Sequence, residues 1–284
     1  MAGERRMPSG WGTMRARDGR AAKRGVRVSG DHTVLLMSDP VARHRPRTPP
    51  RRRHRAWREG GPSVARWDAE MLGWAVLSLG LGVLAARAGA VLLPGAIAEV
   101  VTQAVLWAAF AVPVVWAFRR SRPRGLTRFR AVDVLIGAVW GVGLRLAQGA
   151  LDAAAGAPAW PSAGTGGVTS RLVAESVAAT TVGPALEELF FRGVVLVCTY
   201  TAVRRLSGHV AAVVASLVLS SILFVVAHAL VAPLGPTDAA ALALVGAICG
   251  VCVLVTGRLW PAILVHVVYN GTGIAVVVVG SLYG

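Results

Sequence analysis

The sequence predicts an all-α, polytopic transmembrane helix bundle of about seven spans, preceded by a disordered, Arg-rich N-terminal tail. Three observations predict it. Of 284 residues 55% are hydrophobic and only 15% charged, and the mean hydropathy is +0.59, too apolar for an ordinary water-soluble domain. After Trp67 the chain repeatedly supplies the ~20 apolar residues that a helix needs to cross hydrocarbon. The net charge of +16 is segregated, with more than half of the 30 Lys and Arg residues lying before Trp67.

Residues 1–68 form the expected tail, rich in Arg, Pro and Gly and without apolar periodicity. Its basic runs, such as Arg51, Arg52, Arg53 and Arg55, suit anionic lipid headgroups, at about 1 kcal/mol per residue near the surface. No aromatic interleaving or nucleic-acid motif accompanies the charge, so nucleic acid is not an expected partner. No apolar core of ~7–15 residues occurs in the first thirty, so no signal peptide is expected there. Met37 and Met71 are later potential start sites.

The spans read as residues 71–94, 97–118, 132–154, 174–202, 209–232, 239–256 and 259–282. Residues 69–155 carry the N-terminal helices and residues 170–282 the rest, with a Pro- and Gly-rich stretch at 156–167 between them. In a seven-span arrangement the tail, the run from Arg119 to Arg130, Arg204 with Arg205, and Arg258 all face one side. The excess of Arg and Lys in those loops predicts a cytoplasmic N-terminus. Gly137 and Gly141, one turn apart, read as close-packing positions. Cys198, Cys249 and Cys252 lie in apolar stretches and read as packing residues, neither a disulfide framework nor a metal site.

Ionisable groups at membrane depth are costly, so each needs a partner or a function. They cluster here on three segments. Glu187-Glu188-Leu189-Phe190-Phe191-Arg192-Gly193 lies on the fourth span, His228 follows Phe224 by four residues on the fifth, and His266 precedes Asn270 by four on the seventh. Residues four apart share a helix face, so Glu188 pairs with Arg192 while Glu187 lies about 100° round the helix and is free for chemistry. Two histidines and a carboxylate suit a zinc-like ion, with the Asn270 amide completing the set or orienting substrate. Taken singly, a lone intramembrane His is as readily a hydrogen-bonded packing residue, Glu188 with Arg192 an interhelical lock, and Phe224 core. Arg87 reads as snorkelling near a span end. Nothing in the sequence explains Arg145.

The strings E-E-x-x-x-R, F-x-x-x-H and H-x-x-x-N, in this order on separate apolar segments, resemble the CPBP family of intramembrane metalloproteases, which includes the type II CAAX prenyl endopeptidases. Pro184 before the glutamates and Trp260-Pro261-Ala262-Ile263 before the second histidine are in the same style. The resemblance implies a multi-pass membrane endopeptidase, with a divalent metal ion, zinc first, and a membrane-associated peptide as substrate, and the Arg-rich, Lys-poor composition points to a bacterial cell membrane. It makes Glu187 the base, His228 its partner in activating water, and His266 and Asn270 the positions for metal or oxyanion. The catalytic and metal set is thus Glu187, His228, His266 and Asn270, supported by Glu188, Arg192 and Phe224. A non-catalytic immunity or assembly protein of the same fold is the alternative, and a proton-coupled transporter a lesser one.

Helix arithmetic conflicts with this grouping. At 1.5 Å per residue Glu187 and His228 lie roughly 26–29 Å from the Arg204-to-His209 turn, and His266 about 10 Å past Arg258. Upright, straight helices would keep them apart; tilt, a break near Pro261, or projection beyond the bilayer would reconcile them.

Overall fold

In the computed structural model, residues 56–157 and 176–283 are described, and no strand occurs among them. Six helices there are long and apolar enough to cross a membrane. They are α1 (Ala69–Leu92), α2 (Gly95–Arg120), α3 (Val132–Ala154), α4 (Ala178–Val231), α5 (Pro236–Thr256) and α6 (Trp260–Tyr283). The expected count was seven. The difference lies in α4, whose 54 residues would reach about 80 Å if straight, more than twice the hydrocarbon thickness.

Helix α4 is in fact a hairpin. Gly208 interrupts it at φ 85°, a conformation that glycine adopts without penalty. Beyond that break the chain runs back along itself: the Ser220 hydroxyl donates to the Phe191 carbonyl at 3.0 Å, and the Phe191 and Phe224 rings meet edge to face at 5.3 Å. Pairs whose numbers converge on the break define two antiparallel arms, α4a (178–207) and α4b (209–231). Counted as arms, the crossings are seven.

Helix α1 starts at Asp68, whose carboxylate accepts from the Met71 amide at 3.1 Å. It packs on α2, and α2 reaches α4a through Phe110, 5.1 Å from the Phe190 ring. The α4 hairpin packs on α5, and α5 on α6. Helix α3 lies along α6, so the N-terminal helices and the later ones share one unit. Gly137 and Gly141 allow that approach, because a Cβ at Gly141 would stand 2.6 Å from the Val268 Cβ. The three cysteines are free and buried, and Cys249 donates to the Ala262 carbonyl. Leu84, Val91, Leu92 and Leu146 remain exposed, as lipid-facing side chains do.

The expected disordered tail ends too late. Trp57 and Trp67 are buried, at 1% and 0% exposure, and short 3₁₀ turns at Trp57–Glu59 and Pro62–Val64 fold against the bundle. The Trp57 indole donates to the Gly257 carbonyl, Arg58 to the Leu254 and Val255 carbonyls, and Arg205 to those of Val64 and Ala65. Hydropathy alone conceals this, because indoles scattered among arginines give no periodic signal. Residues 1–55 of that expectation, and 158–167 of the expected connection, lie outside the described residues.

This strap gathers the basic loops at one end of the bundle. The Trp57 amide donates to the Arg124 carbonyl, and Leu259 to Leu126. Arg258 clamps the Asp133 carboxylate through Nε and Nη2, with Nη2 at 2.5 Å. The strap also gives a ruler for depth. The Tyr200 hydroxyl donates to the Arg58 carbonyl, so Tyr200 is level with the end of α5, and the hairpin turn projects about 10 Å beyond. Projection was one of three ways to reconcile the helix arithmetic. It roughly halves the mismatch, and the π-helical turns at Leu189–Val195, which advance less per residue, act in the same direction.

Candidate active site

Glu187 and Glu188 end a short α-helical stretch, Gly183–Glu188, flanked by π-helical turns at Ala178–Val182 and Leu189–Val195. Such widened turns rotate the residues that follow them relative to a plain α-helix, which aims both carboxylates into the bundle. His228 lies in the last turn of α4b, and His266 in the second turn of α6.

Glu187 Oε2 stands 3.8 Å from His228 Nε2 and 3.9 Å from His266 Nε2. The other nitrogen of each ring fixes what faces the carboxylate. His228 Nδ1 is 2.9 Å from the Phe224 carbonyl oxygen, which only accepts, so Nδ1 carries a proton and the neutral ring would present Nε2 as a lone pair. His266 Nδ1 is 3.0 Å from Glu188 Oε1, which forms an ion pair with Arg192 at 3.0 Å and so acts as acceptor. In its neutral form His266 would likewise present Nε2 as a lone pair. Both Nε2 atoms face Glu187 Oε2, a buried atom with no hydrogen-bond partner. Two imidazole nitrogens within 4 Å of one carboxylate oxygen suit a positive charge among them, a proton or a cation.

Around this group the packing is dry on one side. Glu188 and Arg192 are wholly buried, and His266 is 3% exposed. Arg192 also donates to the Gly246 carbonyl, and its guanidinium lies over the Phe224 ring at 4.5 Å. The Phe224 ring supports both imidazoles, at 4.5 Å from His228 and 5.6 Å from His266. The other side is more open: the His228 side chain is 32% exposed and that of Glu187 19%.

Asn270 stands apart from these three. It lies one turn beyond His266, and its Nδ2 donates to the Ala179 carbonyl at 3.0 Å, on the π turn before Glu187. The structure thus brings together Glu187, His228 and His266 and seats Asn270 beside them on the wall of a neighbouring cavity.

Residues 169–272 match the sequence model of the family described as type II CAAX prenyl endopeptidase Rce1-like. This segment, a little over a third of the chain, is similar to that family. Among curated proteins and solved structures nothing matches the chain. The matched segment holds Glu187, Glu188, Arg192, Phe224, His228, His266 and Asn270; the family it resembles implies protease activity, and the long apolar helices an integral membrane protein.

Among the described residues no group of three or more His, Cys, Asp or Glu side chains already stands arranged to hold a metal ion. The donor set of this site nevertheless suits one. Each imidazole is oriented by its far nitrogen on a carbonyl or a carboxylate, the usual support of metal-binding histidines. The spacings of 3.8 and 3.9 Å exceed by a little the roughly 3.4 Å between ligands on a tetrahedral zinc ion. A small inward shift would close the set, and the orphaned Glu187 Oε2 would gain a partner.

The residue that sequence reasoning missed is Arg145. It lies outside the matched segment, on α3, where its Nη2 donates to the Tyr269 carbonyl and its Nη1 to Gln148 Oε1, both at 2.8 Å. Its guanidinium lies over the Tyr269 ring at 4.2 Å. An arginine at membrane depth was the available signal; Gln148 is three residues on, but Tyr269, 124 residues away, was not visible as its partner in the sequence.

Proposed function

We propose that the protein is an intramembrane endopeptidase that cleaves a membrane-associated peptide, with Glu187 as the base that takes a proton from the attacking water. The observation that supports this best is the buried, unpartnered Glu187 Oε2 facing the Nε2 atoms of two imidazoles. Water adds to the scissile carbonyl, Glu187 holds its proton, and the same proton passes to the departing amine as the C–N bond breaks. His228, anchored by the Phe224 carbonyl, orients the water. Asn270 spends one amide N–H on Ala179 and keeps the other for the developing oxyanion.

Glu187, His228 and His266 would hold a divalent cation, zinc first; when bound, such an ion polarises the carbonyl and acidifies water. Glu188 and Arg192 then position His266 and do not touch substrate. We place the basic end of the bundle in the cytoplasm on the strength of its arginine loops, which also suit anionic lipid headgroups. An arginine-rich, lysine-poor composition favours a bacterial membrane. No side chain of the site identifies a prenyl group.

The test is cleavage of a panel of membrane-tethered peptides by the detergent-purified protein. Glu187→Gln and His228→Ala should each lower kcat/KM by roughly 10²- to 10⁴-fold, and a chelator should do the same to wild type. Wild-type cleavage in Glu187→Gln would sink the proposal, while resistance to the chelator would remove only the metal.

A further inference from the structure

A cavity of about 780 Å³ lies between α3 and α6, lined among others by Arg145, Gln148, Asp152, Asn270, Ile274 and Val277. That size suits a ligand the length of a short peptide. Its shared wall with the proposed peptidase site is Asn270, and its distinctive group is Arg145. Thirteen residues into α3, this guanidinium is about 20 Å along the helix from the basic end, where an unneutralised cation is costly.

Of the five N–H donors of Arg145, the structure engages Nη1 on Gln148 and Nη2 on the Tyr269 carbonyl, while Nε is buried without a partner. Neither acceptor carries charge. No carboxylate lies within ion-pair distance among the described residues. Asp152 lines the same cavity but stands two turns, about 10 Å, further along α3 and away from Glu187, so the Arg145 end stays positive. Gly273 faces the guanidinium: a Cβ there would stand 2.8 Å from Arg145 Cζ, so the glycine keeps room for the group in the cavity wall.

We propose that this cavity is a substrate subsite in which the Arg145 guanidinium, braced by Gln148, seats a carboxylate of the peptide. Planar guanidinium and carboxylate match in shape, and charge-assisted two-point hydrogen bonding is strong. The guanidinium is level with Tyr269–Gly273, one to two turns or about 5–10 Å past His266, so one short extended segment of substrate spans both sites. The assignment rests on the peptidase reading for the identity of its ligand. Arg145 is outside the matched segment, so the subsite is a property of the whole chain.

The experiment is fluorescence anisotropy with labelled apolar peptides that differ only at the C-terminus, free carboxylate or amide, and a third with an amide end and an internal aspartate. Protein bearing Glu187→Gln serves as the host, so that binding is read without turnover. The carboxylate peptide should bind at least ~10-fold more tightly than the amide. Arg145→Gln should erase that preference and leave amide binding unchanged; Arg145→Lys should keep part of it. Gly273→Ala, which retains the charge but crowds it, should reduce it. Tight binding of the aspartate peptide would extend the subsite to acidic side chains, as the shared carboxylate chemistry requires. Equal binding of acid and amide, a preference that survives Arg145→Gln, or loss of all three peptides in both arginine variants would overturn the proposal. So would displacement of the acid peptide by nanodiscs of phosphatidylglycerol but not phosphatidylcholine, which would give the site to a lipid phosphate. Cleavage by Glu187→Gln with the preference intact would instead remove Glu187 as the base and leave the subsite standing, while a preference without cleavage of any peptide by wild type would count against the peptidase reading alone.

Discussion

Two buried charge clusters in this molecule are built on opposite terms. At the basic end Asp133, fully buried, takes three contacts from Arg258 and one from the Arg130 amide, and both carboxylate oxygens are occupied. About 10 Å further along α6, beside His266, Glu187 Oε2, Glu188 Oε2 and Arg192 Nε all lack hydrogen-bond partners. A saturated cluster contributes fixed geometry. An unsaturated one stores capacity to bind or react, and real proteins tolerate it where function demands it.

The largest stability effect should come from breaking the saturated pair. Asp133→Ala leaves Arg258 without its partner at 11% exposure and should cost about 3–5 kcal/mol, read as a lowered unfolding temperature in detergent. Replacing both, as Asp133→Leu with Arg258→Met, should recover most of the loss. If the double variant is as unstable as the single one, the loop packing and not the charge governs this end.

Next in size is the strap. Trp57→Ala removes an indole packed edge to face on Tyr200 at 5.3 Å and its bond to Gly257, and should cost about 3 kcal/mol. A chain initiated at Met71 would lose the whole strap and should unfold earlier still. Equal stability of the Met71 form would mean that the strap merely rests on the bundle. The α3–α6 contact gives a smaller effect: Gly141→Ala places a methyl against Val268 and should cost about 1–3 kcal/mol, with Gly143→Ala, which meets nothing within 4 Å, as the neutral control.

The same contrast explains what was legible in the sequence. Spans and their order followed from apolar length, because lipid imposes that requirement on each helix by itself. The Glu187, His228 and His266 grouping was readable because spacings of four residues set faces and intramembrane charge is rare. What escaped was non-local or non-periodic. Trp57 and Trp67 are buried by contacts with Gly257 and Ser121 that no local pattern announces. Arg145 finds Tyr269 only once α3 lies along α6, and the projecting α4 hairpin depends on where Tyr200 meets the strap.

The smallest expected stability effect is the one that sharpens the comparison most. Glu187→Gln removes a charge whose buried oxygen has no partner, and it keeps the side chain's volume, so no packing is lost. The variant should unfold within about 1 kcal/mol of wild type, on the stable side if the carboxylate stands uncompensated in the resting protein. The same substitution made at Asp133, Asp133→Asn, should be markedly destabilising, because there the carboxylate's charge is matched at 2.5 Å by Arg258. Were Glu187→Gln to lose as much stability as Asp133→Asn, Glu187 would be a structural anchor like its counterpart, and its pairing with the two imidazoles would be a lock for the hairpin against α6.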